Sequence, residues 1–271
     1  MAACIKAVSP HIPLYEAVFF RCFVTALILA KILEHKKISL KANHFPLLVT
    51  RAFSGFLAIS CNFYALAHLS LGDASMLVTT FPVFVTILSF IFLKERPTPT
   101  LIFWILTALI GIAFILRPQF NFFNYAGFIA LLAAIFSAIV VVVIRQSHET
   151  DPSLRIAFYF VAIATLLSGP MMLRHFILPS LHETFFLVGA GLFGTAAQIL
   201  MTRAYGLDEV SRLSPLAYAS VVLAFIIGLI FWNEVPHWES LVGSLIVVIC
   251  CIQIARIEKP PAVEHPPAKS P

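Results

Sequence analysis

The sequence predicts an all-α integral membrane protein, a ten-helix bundle made of two inverted five-helix repeats with a truncated first helix. Three observations support this fold class. Of the 271 residues, 60% are hydrophobic and only 11% are charged, which lies outside the range of soluble domains. Apolar stretches of about 20 residues, the length that crosses a bilayer, recur along the chain. The two halves of the chain also resemble each other.

Nine apolar stretches are complete, each bounded by charged residues, proline or asparagine. We interpret them as helices because a backbone exposed to lipid must satisfy its own hydrogen bonds, and no alternating strand pattern occurs. The connections are short, so the spans are expected to form one bundle. The predicted spans are residues 14–33, 45–67, 73–93, 100–116, 125–145, 155–174, 183–206, 210–232 and 237–255.

The first eight residues, MAACIKAV, would form a helix only about 12 Å long, which is too short to cross. Either nine spans are real, or the chain begins inside a first span. We favour the second alternative, because an inverted repeat needs an odd number of spans in each half. The sequence thus predicts a first repeat at 1–124, a second repeat at 125–255 and a disordered, Pro-rich cytoplasmic tail at 256–271.

Lysine and arginine predict the orientation, since they concentrate in cytoplasmic loops. Only Arg117 and Arg174 lie in segments on the side opposite the C-terminus. We therefore expect a cytoplasmic C-terminus and a place in the bacterial inner membrane. The segments on the side of the C-terminus hold Lys36, Lys37, Lys41, Lys94, Arg96, Arg145, Arg155, Arg212, Arg256, Lys259 and Lys269.

Matching stripes of small and polar residues run along equivalent helices of the two halves, at positions that share one helix face. By the lysine and arginine count, Glu95 lies at the inner surface and Glu234 at the outer, so the repeats are predicted to be inverted. One pair of stripes is Arg51, Gly55, Ala58, Asn62 and Ala65 against Gly191, Thr195, Gln198, Thr202 and Tyr205. The next is Ser75, Thr79, Pro82, Thr86 and Ser89 against Ser211, Pro215, Tyr218, Val222 and Phe225.

Inverted repeats with polar faces near the bilayer midplane are typical of secondary transporters, in which a central site opens alternately to either side. The alternative is that small and hydroxyl residues only allow close helix packing. On the transporter interpretation, the candidate solute-binding residues are Arg21, Thr25, Arg51, Asn62, Thr79, Gln198, Thr202, Tyr205 and Tyr218. The candidate gating or structural residues are Pro82, Glu95, Pro215 and Glu234.

Arg21 is predicted to lie roughly 10 Å inside the membrane and to face a hydrated pathway in the bundle. Its guanidinium suits a carboxylate or a phosphate, and Lys6 is a second candidate cation for the same site. Lys31 and Arg203 lie near the inner surface, where long side chains reach water. Acidic residues are scarce within the spans, so the sequence shows no buried carboxylate proton relay. The same scarcity favours an anionic or zwitterionic solute.

Three segments carry a resemblance to a known family: YEAVFFR, DASMLVTTFPVFVTILSFIFLKER and SRLSPLAYASVVLAFIIGLIFWNEVPHWESLVG. Over nearly its whole length the chain resembles EamA-type members of the drug/metabolite transporter superfamily. The resemblance implies a ten-helix carrier with a central cavity. Family members carry S-adenosylmethionine, riboflavin, amino acids or metallophores, and the motifs do not select a solute.

The chain departs from the family pattern in its glycine spacing. Gly243 stands nine residues after Glu234, whereas Trp104 takes that place after Glu95. Gly111 stands sixteen residues after Glu95, whereas Cys250 takes that place after Glu234. We therefore expect looser helix packing at one point in the final span of each half.

The leading functional prediction is a secondary-active carrier of a small polar metabolite, with the solute and the lipid bilayer as partners. A non-transporting membrane partner or assembly protein is the alternative, and a membrane-embedded enzyme is a weaker one. HET occurs at His148 and His182 without a second histidine, and no GxxxxGK[ST] motif occurs. No cofactor, metal or nucleic acid is expected, and a homo-oligomer is possible. The motifs leave the transport direction and coupling ion open.

Overall fold

The computed structural model describes residues 1–93, 98–116, 125–148, 150–207 and 210–257, and this part of the chain is α-helical, without strands. It therefore confirms the predicted all-α class. The helices are α1 (Ala2–Val8), α2 (Leu14–His35), α3 (Phe45–His68), α4 (Leu71–Val78), α5 (Phe81–Leu93), α6 (Pro99–Leu116), α7 (Tyr125–His148), α8 (Ser153–Leu173), α9 (Leu181–Leu207), α10 (Val210–Trp232) and α11 (Trp238–Ile257).

Helix boundaries agree with the predicted spans to within a few residues, except that one span is broken. The predicted span 73–93 is two helices, α4 and α5, separated at Thr79 and Thr80. Pro82 explains the break, because proline cannot donate to the preceding turn. At the break, the hydroxyls of Thr79 and Thr80 donate to the carbonyls of Ser75 at 2.7 Å and Leu77 at 2.6 Å, which also accept from the threonine backbone N–H groups. With α4 and α5 counted as one interrupted helix, the described chain has ten helices.

Several helices are long and apolar enough to cross a membrane. By length and composition, four meet that criterion within the described residues: Phe45–His68, Tyr125–His148, Ser153–Leu173 and Leu181–Ala204. Four more apolar stretches are shorter: Leu71–Val85, Pro99–Ile115, Ser220–Trp232 and Trp238–Ile254. Large apolar side chains such as Phe103, Leu106 and Ile230 are exposed on the periphery, as expected of surfaces that face lipid.

Packing between the two halves of the chain holds the bundle together. α2 packs on α8, α4 on α10 and α6 on α11. α3 packs on α7 and α8, while α9 packs on α1 and α2. Buried alanines and leucines, for example Leu29, Leu66 and Ala164, fill the centre, and small side chains let these helices approach closely.

The contact between α6 and α11 corrects an expectation about packing. Gly111 and Gly243 face each other across it, and a Cβ added to Gly243 would lie 2.6 Å from the carbonyl oxygen of Gly111. The backbones are therefore in direct contact. The expectation of looser packing was wrong, because the two glycines meet each other although they occupy different positions relative to Glu95 and Glu234.

Candidate functional site

Two buried arginines lie over the same aromatic ring in the middle of the bundle. The Cζ atom of Arg21, on α2, is 5.6 Å from the ring centroid of Phe160 on α8. The Cζ atom of Arg51, on α3, is 4.4 Å from that centroid. The side chains are only 5% and 1% exposed, respectively. A ring face attracts a guanidinium, so Phe160 positions both cations.

Neither guanidinium is fully satisfied by the protein. Arg21 Nη1 donates only to the Cys22 thiol, at 3.6 Å, and thiols are weak acceptors. Within the described residues, Arg21 Nε, Arg51 Nε and Arg51 Nη1 have no hydrogen-bond partner. Buried donors on a charged group are costly to leave unpaired. The site therefore lacks an acceptor, and an anion is the acceptor that would satisfy it.

Glycines make the space that the arginine side chains occupy. A Cβ on Gly194 of α9 would lie 3.0 Å from Arg21 Nε. A Cβ on Gly55 of α3 would collide with Arg51 Nη1 and lie 2.7 Å from the Phe160 ring. This explains why Gly55 follows Arg51 by one turn on the predicted stripe.

Hydroxyl groups link α2 to α9 beside the arginines. Thr195 Oγ1 donates to Thr25 Oγ1 at 3.1 Å, and Thr25 Oγ1 donates to the carbonyl of Arg21 at 2.9 Å. Further along α9, Gln198 Nε2 donates to Thr202 Oγ1 at 3.1 Å. All four polar side chains are buried. The stripe on α9 therefore faces the bundle interior, as its pattern predicted.

The structure places the other candidate residues as follows. Asn62 is half-buried on α3, about three turns past Arg51, and Thr79 ends α4. Pro82 is buried at the start of α5. The side chains of Tyr205, Pro215 and Tyr218, and all of Glu95, lie outside the described residues.

Two residues that belong to the site were not among the predicted site residues. Thr195 stood on the polar stripe of α9, so the sequence offered a signal for it. Phe160 offered none, because it is one of 26 phenylalanines and nothing in the sequence distinguishes it from the others. Its role depends on which face of α8 meets α2 and α3.

Lys6 forms a latch with Glu234 at one end of the bundle. Its Nζ atom forms an ion pair with the Glu234 carboxylate and donates to the carbonyl of Leu69 at 2.6 Å. Glu234 Oε2 also accepts from the Leu71 backbone N–H at 2.7 Å. This Lys6–Glu234 latch joins α1, the start of α4 and the α10–α11 connection. Lys6 is therefore engaged here, and the expectation that it joins Arg21 was wrong.

Asp151 forms a clasp between the α7–α8 turn and the α2–α3 connection, at the opposite end. It accepts from Arg155 Nη1 at 2.7 Å and from the backbone N–H groups of Asn43 at 3.1 Å and His44 at 3.3 Å. Burial alone would raise the pKa of Asp151, but these hydrogen bonds, with one from Thr150, outweigh it and hold the pKa below its ordinary value.

A cavity of about 240 Å³ lies at the latch end of the bundle, among α1, α2 and α3. Its lining is mainly apolar, with Ser9, Tyr64 and His68 as polar members. It also reaches Ala17, which precedes Arg21 by one helical turn on the same face of α2. The side chains of Arg21 and Arg51 are themselves buried in this conformation.

The fold and the site together define a multi-pass integral membrane protein with a cationic polar centre. The chain belongs to the EamA-like transporter family, whose model matches residues 1–117 and again residues 124–256. This confirms the resemblance drawn from the sequence motifs.

Curated relatives are named as transporters. The chain is 33% identical to the pseudopaline exporter CntI of Pseudomonas aeruginosa, over 96% of this chain and 92% of the relative. It is 29% identical to human solute carrier family 35 member G1, over 84% of this chain and 68% of that one. It is 23% identical to the S-adenosylmethionine uptake transporter of Rickettsia bellii, over 94% and 88%. The chain is thus a transporter rather than an enzyme.

One solved crystal structure matches with a TM-score of 0.69, covering 95% of this chain and 93% of that one. The sequence identity is 16%, so the match supports the fold alone.

Proposed function

We propose that the chain is a secondary-active transporter that moves a small anionic or zwitterionic metabolite by alternating access. The observation that carries this proposal is the pair of buried guanidiniums, Arg21 and Arg51, whose donors lack protein acceptors within the described residues. A charge in the membrane interior is costly unless it is paired or reaches water. A transported anion would supply the missing acceptor.

The packing pattern supports two related repeats, and repeats of five spanning helices each are inverted, an architecture common in alternating-access transporters. If α1, α2, α3, α4 with α5, and α6 are exchanged for α7, α8, α9, α10 and α11, the contact of α3 with α7 becomes that of α9 with α1. The contact of α2 with α9 likewise becomes that of α8 with α3. Both members of each pair occur. The proposed repeats are 1–124 and 125–255.

Two polar clusters at opposite ends are suited to act as gates. The Lys6–Glu234 latch closes the end at which the cavity lies, and the Asp151 clasp closes the other. Both are formed in this conformation. We propose that the latch opens in one state and the clasp in the other, so that Arg21 and Arg51 reach one side at a time. The cavity beside Ala17 is the entry route on the latch side.

We further propose a bacterial inner membrane location with a cytoplasmic C-terminus, on the basis of the lysine and arginine count. The relatives' names include both an exporter and an uptake transporter, so they support either direction.

Transport is testable with purified protein in liposomes. Proteoliposomes are loaded with a defined mixture of amino acids, dicarboxylates and S-adenosylmethionine, and efflux without ATP is followed by mass spectrometry. We expect the wild type to release one class of solute and the variants Arg21→Gln and Arg51→Gln to release it at least tenfold more slowly. Arg203→Gln is the matched control, because Arg203 lies exposed on α9.

Equal release by all four proteins would remove the two arginines from the transport site. Absence of release from wild-type proteoliposomes, with substrate-independent effects of the protein in cells, would favour a non-transporting membrane partner.

A further inference from the structure

Arg21 and Arg51 form one site with two positive charges, and in the part of the chain that the structure describes neither has an ion-pair partner. The helices that carry these residues and Phe160 have few acidic residues: α3 and α8 contain none. On α2, Glu16 and Glu34 lie near the two ends of the helix, and on α9 Glu183 lies in the first turn. These three carboxylates lie near the ends of their helices, whereas Arg21 and Arg51 lie more than one turn inside theirs.

Two of these carboxylates, Glu16 and Glu183, accept hydrogen bonds from other groups. Glu16 Oε2 accepts from the backbone N–H of Ile177 at 3.1 Å. Glu183 Oε2 accepts from the Ser180 backbone N–H and hydroxyl, each at 2.7 Å. Glu16 Oε1 has no hydrogen-bond partner within the described residues, but Glu16 forms no ion pair there with Arg21 or Arg51. Glu183 could pair with another cation only by giving up its bonds to Ser180. Among the described residues, neither arginine has a carboxylate in ion-pair contact, so an anion from outside the protein would supply the neutralising charge.

Sharing one ring holds the two guanidiniums within reach of one small molecule. Their Cζ atoms are 5.6 and 4.4 Å from the Phe160 centroid, so they can be no farther apart than the sum of these distances. Two cations this close repel each other, and the repulsion is strong where water is excluded. One guanidinium takes one carboxylate through its planar fork. A solute with a single acidic group would leave the second cation unpaired.

We infer that the solute carries at least two negative charges, one for Arg21 and one for Arg51, as a dicarboxylate or larger polycarboxylate does. This rests on the proposed transport function and narrows it, because a zwitterion with one carboxylate satisfies only half of the site. Inorganic phosphate carries two negative charges on a single phosphorus centre, so it is the alternative ligand that could pair with both arginines.

A charge-graded series tests the inference. Full-length protein in detergent is titrated with glutarate, with its monoamide glutaramate and with glutaramide, at constant ionic strength, and binding is read from the apparent Tm. Malonate, adipate and citrate vary the spacing, and inorganic phosphate tests the single-centre dianion. We expect the best diacid to bind about tenfold more tightly than its monoamide, since it gains a second charge-assisted pair. The diamide should produce no shift.

Variants assign the two charges to the two arginines. In Arg21→Gln and in Arg51→Gln, diacid and monoamide should bind equally, whereas Arg203→Gln should keep the tenfold preference. Should the Gln variants fail to fold, the wild type can be treated with phenylglyoxal, which modifies arginine. The diacid should then protect Arg21 and Arg51, but not Arg203, from modification as measured by peptide mass spectrometry.

The outcomes separate this inference from the transport proposal. If no diacid exceeds its monoamide, or protection of the two arginines fails, the two-charge inference is overturned. Release of a solute with one acidic group or none, unaffected in Arg51→Gln, would also overturn it while transport stands. Tight diacid binding that needs both arginines, with no flux of any solute, would uphold the site and defeat the transport proposal. Tighter binding of phosphate than of every diacid would overturn the polycarboxylate assignment.

Discussion

Arg51 is a residue whose position serves a ligand better than it serves the stability of the empty protein. It is 1% exposed, and its Nε and Nη1 atoms lack partners within the described residues. A buried cation costs at least a few kcal/mol in a membrane interior, and the Phe160 ring returns about 2 kcal/mol. The balance indicates that the residue destabilises the unliganded fold by about 1 kcal/mol or more.

We therefore expect Arg51→Met to raise the apparent Tm of the unliganded protein by about 2–4 °C. Methionine is unbranched and can fill the space of the arginine stem. The measurement is thermal unfolding in detergent, in a buffer with chloride as the only anion. Arg203→Met, at an exposed site on α9, should leave Tm unchanged. A clear drop in Tm for Arg51→Met alone would show that the guanidinium is a structural element.

The sequence predicted the features of the site that depend on one helix, but not those that depend on contacts between helices. The stripes on α3 and α9 predicted that Arg51, Gln198 and Thr202 face inward, because helical periodicity is a local property. The partner of each residue was not predictable, because it depends on which helix faces meet. Phe160 under the arginines and the ion pair of Lys6 with Glu234 are both of this kind.

At the scale of elements, hydropathy predicted the helices because the bilayer fixes their length. The interruption between α4 and α5 was not predicted, although Pro82 was singled out, since a proline bends some membrane helices and interrupts others. The glycine spacing was likewise misinterpreted. Gly111 and Gly243 come into backbone contact through the crossing of α6 and α11, which intervals within each half do not describe.

The α6–α11 crossing leads to a prediction about helix packing. In Gly243→Val the new Cβ would lie 2.6 Å from the Gly111 carbonyl oxygen and 2.9 Å from Ile115 Cγ1, so the helices must separate. Overpacking of this kind costs about 1–3 kcal/mol, and we expect the apparent Tm to fall by about 4 °C or more. Thermal unfolding in detergent provides the measurement.

Gly189→Ala is the matched control, because Gly189 lies inside α9 and its added Cβ would meet only Cys4 Sγ, at 3.8 Å. Alanine also favours the helix by up to about 1 kcal/mol, so its Tm should be unchanged or higher. Equal losses in the two variants would show that the close approach of α6 and α11 is unimportant for stability.

At the scale of the whole molecule, the two ends of the bundle are closed by ion-pair clusters of different construction. The Lys6–Glu234 latch joins a short first helix to the α10–α11 connection. The Asp151 clasp joins two connections, through one carboxylate that accepts from Arg155 and from two backbone N–H groups. The clasp opens if the Asp151 side chain changes rotamer or if the α2–α3 and α7–α8 connections move apart.

The clasp should therefore contribute to stability in a pH-dependent way. The pKa of Asp151 is lowered in the folded protein, so its contribution is fully present above the ordinary aspartate pKa of about 4. It is lost as the pH falls through the lower folded-state pKa. We expect Asp151→Asn to unfold at a lower apparent Tm than wild type at pH 7, and the difference to shrink as the pH falls below about 4. Glu34→Gln, at an exposed site on α2, should follow the wild type throughout. A difference between Asp151→Asn and wild type that stays constant over this range would show that the ionised carboxylate is not what closes this end.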